Sequence, residues 1–291
     1  MTDLVRPRRS ALYLPASNAK AMEKARSVDA DVIIIDLEDA VSPDAKEAAR
    51  DAAVTSIARG GYGRREVVLR VNGLDTPWGK EDLAAATASG ADAVLVPKVN
   101  GAADIALYDE ALREAPPGVE LWAMVETSRS VFTLDSIAAT AANSRLSVLV
   151  LGTNDLAKEM RLRPSRDRAP FLPILTMAVA AAAAHGLNVL DGVCNDFKDF
   201  ELLRAECEQG VAFGMDGKTL IHPGQIALCN EIFSPSPQDL EWADDIIAAF
   251  ALEENAGKGA ISLKGKMVEL LHLVEARRLR GVSDRIHADV G

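Results

Sequence analysis

Apolar residues in this chain come in short unbroken runs rather than in alternation. Eight runs follow one another: SALYLPA, DVIIIDLED, EVVLRVN, AVLVPKV, ELWAMVET, LSVLVLGTND, NVLDGV and VAFGMDGKTLIHP. A strand covered on both faces has no polar side to show, so such runs predict buried parallel strands. The stretches between them are rich in helix formers: Asn18 to Ala25 with Asn18 as N-cap, Pro43 to Arg59, Trp78 to Ser89, and Phe197 to Gln209. Eight alternations of strand and helix predict an α/β chain, a (β/α)8 TIM barrel over residues 1–235. Beyond Pro223 the strand pattern stops. Gln238 to Glu254 carries Leu240, Ala243, Ile246, Ile247 and Phe250 at helical spacing. The glycine-rich link NAGKGAISLKGK and a last helix from about Met267 to Arg280 follow. Residues 236–291 are therefore expected to form a C-terminal helical extension, mobile at its link or packing on a neighbouring subunit.

In a parallel barrel, chemistry sits where the strands end. Here the runs end in polar groups: Asp36, Glu38 and Asp39 after the second, Arg70 and Asn72 after the third, Glu126 after the fifth, Asp155 after the sixth. Glu126 and Asp155 close consecutive strands and so should be neighbours. Two hard carboxylates with room for water suit Mg²⁺, and the His/Cys cluster that zinc prefers is missing from the sequence pattern. Taken singly, either acid reads as well as a helix cap, Asp155 for LAKEM. Arg70 suits a substrate carboxylate or a developing negative charge, and equally an ion pair with Glu38 or Asp39 that would orient it. Lys98 reads better as an ion-pair partner than as a Schiff-base lysine. His222, followed by Pro223, reads better as a turn residue than as a base. Gly152, Thr153 and Asn154 lead into a helix whose first N–H groups suit a carboxylate. Arg161, Arg163 and Arg166 lie in a loop expected to reach the pocket or the coenzyme, and the arginines fit either role or none.

Composition narrows the classes. With 48% hydrophobic residues in 291, a large core is available and disorder is not expected. A net charge of −11 argues against nucleic-acid partners. The basic N-terminus (Arg6, Arg8, Arg9, Lys20, Lys24) fits a solvated tail or a phosphate pocket equally well. No run reaches the roughly 18 apolar residues of a membrane span, and Pro15 breaks the early apolar stretch, so no signal peptide is expected. Cys194, Cys207 and Cys229 are odd in number and form no CxxC pair, which points to a reduced, cytoplasmic setting.

The stretches RSALYLPASNAKAMEKA, DLEDAVSPDAKEAAR, LRVNGLDTPWGKEDL, VLVPKV, AMVETSRSV, LGTNDLA and GMDGKTLIHPGQI occur in order over about residues 9 to 235. In these the chain resembles the citrate lyase β-subunit-like (CitE-like) group of the HpcH/HpaI aldolase superfamily, close to the malyl-CoA and citramalyl-CoA lyases. The resemblance implies a trimer or hexamer, Mg²⁺ on Glu126 and Asp155, and Arg70 against the substrate with Glu38 and Asp39 in support. It implies an acyl thioester of coenzyme A as substrate, with Arg9, Pro15 and Lys20 near the coenzyme. It also implies a C-terminal acid or base reaching a neighbouring subunit's site. Relatives carry GxMxD there, whereas this chain reads GKMVELLHL, with Glu269 at the Asp position. Displacing a catalytic group by about 1 Å can cost roughly a hundredfold, so either the site has adjusted or the reaction differs.

The activity expected first is therefore Mg²⁺-dependent carbon–carbon cleavage of a 3-hydroxy-dicarboxylic acyl-CoA to acetyl-CoA, or a homologue, and a 2-oxo acid. Arg70 would stabilise the enolate and Glu269 would protonate it. Alternatives are a malyl-CoA-type thioesterase using the same site with Glu269 activating water, or a citrate lyase β subunit acting on a carrier-protein thioester. A thioester-binding regulator without activity fits poorly with intact Glu126 and Asp155.

Overall fold

The computed structural model describes residues 6–163 and 165–288. The outermost residues of the two expected ranges, and Pro164 in the arginine-bearing loop, lie outside the described residues. The chain divides into two compact units, Arg8–Phe233 and a second formed chiefly by the residues from Ser234 onward.

The first unit is the expected barrel. Strands β1 (Ser10–Pro15), β2 (Val32–Asp36), β3 (Glu66–Arg70), β4 (Ala93–Val96), β5 (Glu120–Val125), β6 (Leu146–Leu151), β7 (Asn188–Asp191) and β8 (Gly217–Leu220) close in sequence order, and β8 pairs in parallel with β1. The runs are unbroken because both faces are covered. Val32, Ile34, Val68, Leu95, Trp122 and Val150 fill the barrel interior. Their neighbours Ile33, Ile35, Leu69, Val94, Leu121 and Leu149 belong to the layer between strands and helices. Asn18 caps the helix Ala19–Ala25 by accepting from the Ala21 N–H. The eighth run is shorter as a strand than as a pattern: its first residues, VAF, end the helix Phe200–Phe213, and only Gly217–Leu220 pair.

The N-terminal end of the barrel is plugged by charge. Arg8 donates to Glu66 at 2.7 and 2.8 Å, to Glu120 at 2.6 Å and to Asn188 at 2.6 Å, with its guanidinium over the Trp122 ring. These partners start β3, β5 and β7, the alternate strands that build one barrel layer. Arg9, just before β1, is buried against Asp31 through two 2.8 Å hydrogen bonds. This corrects the expectation for Arg9. It lies at the N-terminal end of β1, away from the ends that carry the polar cavity, so the coenzyme contact expected of it has no basis in its position.

The C-terminal unit holds the helices Pro237–Ala251 and Leu270–His287, joined by an antiparallel hairpin of β9 (Ala260–Leu263) and β10 (Lys266–Glu269). Ala243, Ile246, Ile261, Val268, Leu273 and Ala276 form its core. The glycine-rich segment expected as a mobile link thus contains a hairpin. Lys264 and Gly265 supply the two central residues of its turn, both with positive φ (48° and 77°), the twist that a two-residue hairpin turn requires. The last helix starts later than expected because Met267 to Glu269 pair in β10.

Candidate active site

The C-terminal ends of the strands surround a cavity of about 290 Å³. Arg70, Glu126, Asp155, Asp39 and the Gly152–Asn154 backbone all line it, so the structure brings these expected site residues together. Pro15, at the end of β1, and Lys20, exposed on the following helix, do not line it.

Arg70 ends β3 facing inward and is almost fully enclosed. Its Nε and Nη2 donate to the two oxygens of Asp36 at 2.6 Å each. Its Nη1 is 2.9 Å from Glu38 and 3.8 Å from the exposed Asp39. Asp36 is therefore the principal partner of Arg70, a residue the polar pattern flagged as an acid without assigning it a role. The cue was available: Asp36 is the last residue of β2 and the ladder pairs it with Arg70. Lys98 forms an ion pair with Glu38. Burial raises the Glu38 pKa, and Arg70 and Lys98 oppose that rise.

Glu126 follows β5 and is 1% exposed. One oxygen accepts the backbone N–H of Lys98 at 2.8 Å, and Lys98 makes that contact from left-handed backbone, φ 51°. Burial, then the negative charge of Glu38, pushes the Glu126 carboxyl up to about 7. The other oxygen is crowded by Gly152, where an added Cβ would sit 2.6 Å from Oε2 and 2.4 Å from the Glu126 Cβ. Only glycine fits beside this carboxyl. Asp155 lies on the same cavity wall, in the first turn of the helix Thr153–Met160. Among the described residues no group of three or more His, Cys, Asp and Glu converges for a metal. A buried carboxyl whose charge is disfavoured, with a second carboxylate beside the same space, nevertheless fits a hard divalent cation that keeps waters and substrate oxygens as its other ligands.

Asn154 exchanges side-chain hydrogen bonds with Asn195 at 2.7 and 3.1 Å. His222 is a turn residue: its Nδ1 accepts from the Gly224 N–H, its own N–H donates to Gln225, and its ring stacks on Phe197. Arg166 is exposed and paired with Asp199, and none of the three loop arginines lines the cavity. Tyr13 was not singled out in the sequence. It forms part of the cavity, with Arg70 over its ring at 4.9 Å and its hydroxyl 3.5 Å from the Met124 sulfur. Ala11 and Tyr13, two apart in SALYLP, are the inward positions of β1, and that alternation was the signal for it.

Residues 9–223 match the HpcH/HpaI aldolase/citrate lyase family. The chain belongs to that family. It is similar to a protein of Cereibacter sphaeroides named (3S)-malyl-CoA thioesterase, 48% identical over 288 residues and 99% of both chains. Similarity to an L-malyl-CoA/beta-methylmalyl-CoA lyase of the same organism is lower, 32% over 311 residues, with 97% of this chain and 96% of that one covered. Among solved structures, CitE of Mycobacterium tuberculosis in complex with magnesium, acetoacetate and coenzyme A matches with a TM-score of 0.74. That match has 29% identity and covers 94% of this chain and 97% of that one.

These relatives correct the activity expected first. The full-length similarity to proteins named (3S)-malyl-CoA thioesterase, at 46–48% identity, exceeds the 31–32% to those named as lyases. The carbon–carbon lyase expectation, and with it a 2-oxo acid partner, gives way to the thioesterase alternative. The motifs did not separate the two because an acid pair and an arginine around one cavity serve either chemistry: both need an activated thioester, and they differ in which bond is broken.

Proposed function

We propose that this protein hydrolyses the thioester of a malyl-CoA-type 3-hydroxyacyl-CoA bearing a second carboxylate, releasing the hydroxy acid and free coenzyme A. The observation that carries this reading is the 48% identity, over 99% of both chains, to a protein named (3S)-malyl-CoA thioesterase. The cavity supports it with an arginine, two acids suited to Mg²⁺ and the start of a helix. Glu126 and Asp155 would hold the cation, which when bound supplies positive charge that polarises the acyl oxygen.

The protein's own groups have separate tasks in this reading. Arg70, fixed by Asp36 and Glu38, orients the anionic acyl head and balances charge that develops on it. The N–H groups at Thr153 and Asn154 face a carboxylate at the positive end of their helix. Glu269, which stands where the relatives' motif has Asp, would take the proton of the attacking water in a neighbouring copy's site, and Pro15 and Lys20 would lie toward the coenzyme. We further propose a homotrimer or hexamer. Leu270, Leu271 and Val274, apolar and exposed on the C-terminal unit, support burial against another copy. Three buried free cysteines are in keeping with a cytoplasmic setting, and no helix among the described residues is long and apolar enough to cross a membrane.

The deciding experiment supplies malyl-CoA and Mg²⁺, then assays free thiol and 2-oxo acid separately. Free thiol without glyoxylate is the expected result. Glyoxylate with acetyl-CoA would overturn the reading.

A further inference from the structure

The walls of the cavity are rich in hydrogen-bond acceptors and their donors are largely committed. Asp36, Asp39, Glu126 and Asp155 all face it. The Arg70 nitrogens each face a carboxylate already. The Thr219 hydroxyl donates to the Asp191 carbonyl at 2.9 Å, and the Asn154 amide to Asn195. An acyl head with a carbonyl, a hydroxyl and a carboxylate brings acceptors of its own and needs donors to meet them.

Tyr13 stands apart from this committed set. Its O–H is directed at the Met124 sulfur at 3.5 Å, and a thioether is a weak acceptor. Its ring is pinned by the Arg70 guanidinium, which fixes where the hydroxyl points. Its side chain is only partly covered, and it lines the cavity. Exchanging a sulfur for a substrate oxygen would strengthen that bond without moving the ring. We propose that the Tyr13 hydroxyl is a catalytic group that donates a hydrogen bond to an oxygen of the substrate's acyl head. The inference rests on the thioesterase reading and adds to it a side-chain hydroxyl donor beside Arg70 and the helix-start N–H groups. Burial, opposed by Arg70 and reinforced by Asp36 and Glu126, raises the phenol's pKa, so the group remains a donor at neutral pH.

The test is Tyr13→Phe, which keeps the ring against Arg70 and removes only the O–H. Turnover of malyl-CoA and calorimetric binding of malate are measured for both proteins with Mg²⁺ present, alongside the thermal midpoint. The expected result is a loss of ~10–100-fold in kcat/KM with the midpoint unchanged. A loss in kcat alone assigns the bond to the thioester carbonyl as it becomes an oxyanion. A loss in KM with matching weakening of malate assigns it to the acid's own carboxylate or hydroxyl. Equal kinetics and equal malate affinity in the two proteins would overturn the proposal. If the native protein does not hydrolyse malyl-CoA, the thioesterase reading fails, and the malate titration alone decides Tyr13. A native protein that binds no malate either would remove both.

Discussion

Asp36 and Arg70 are register partners in the β2–β3 ladder, and their side chains meet inside the barrel through two 2.6 Å hydrogen bonds. The arginine that faces the cavity is thus set by the sheet itself, because the ladder brings its carboxylate to it. Glu38 adds a third contact from the loop that follows. Removing one member of a buried pair leaves a charge without its partner, at a cost of about 3–5 kcal/mol. Asp36→Ala should lower the unfolding free energy by about that amount in urea titration, and Arg70→Met in the same background should recover part of it. A loss below ~1 kcal/mol would mean that the pair is not formed in solution.

Gly152 and Glu126 touch across consecutive strands. A Cβ on Gly152 would lie 2.4 Å from the Glu126 Cβ, closer than two non-bonded carbons can approach, so the backbones of the two strand ends must move apart and carry the acid with them. Gly152→Ala should therefore weaken Mg²⁺ binding and cut turnover by roughly a hundredfold. Calorimetric Mg²⁺ titration with parallel rate measurement checks this. Native-like metal affinity in the variant would show that Glu126 is not a ligand.

Glu126→Ala and Asp155→Ala should each abolish metal-dependent turnover while leaving the circular dichroism spectrum intact, and EDTA should silence the native protein reversibly. Asp155 is the cleaner probe, being partly exposed and free of the packing that surrounds Glu126. Retained activity in either variant would sink the metal assignment.

How much of this was legible beforehand follows from what each feature depends on. The strands were readable because burial on both faces leaves long apolar runs. The bundle of Arg70, Glu126 and Asp155 was readable because each is a charged residue at or shortly after a strand end. Tyr13 was not, since an inward tyrosine inside an apolar run looks like core. Arg8 and Arg9 read equally as a solvated tail or a phosphate pocket, because sequence gives no sign that Glu66, Glu120, Asn188 and Asp31 wait at or just before the starts of other strands. The hairpin around Lys264 and Gly265 was hidden by the glycines on either side, which read as linker. The choice between lyase and thioesterase was hidden too, because two acids and an arginine around one cavity suit either chemistry.

Behind the cavity, Lys218 and Asp191 form a fully buried pair at 2.8 Å, with Arg168 on Asp191 at 2.8 Å and Glu206 on Lys218 at 2.8 Å. The cluster braces the cavity wall, because the Asp191 carbonyl receives the hydroxyl of the cavity residue Thr219. Burial alone would raise the Asp191 pKa, but Lys218 and Arg168 outweigh it and the carboxyl ends below its ordinary value. A depressed native pKa gives stability that is fully present above the unfolded value of about 3.9. That contribution is lost as pH falls through the native value. Lys218→Met should cost about 3–5 kcal/mol at neutral pH, since it strips Asp191 and Glu206 of a shared cation. In the variant Asp191 protonates more readily, so the gap between the two proteins should narrow below about pH 4. Urea titrations between neutral and acidic pH measure it. A gap that stayed constant with pH would mean that Lys218 contributes through packing of its aliphatic stem and not through its charge.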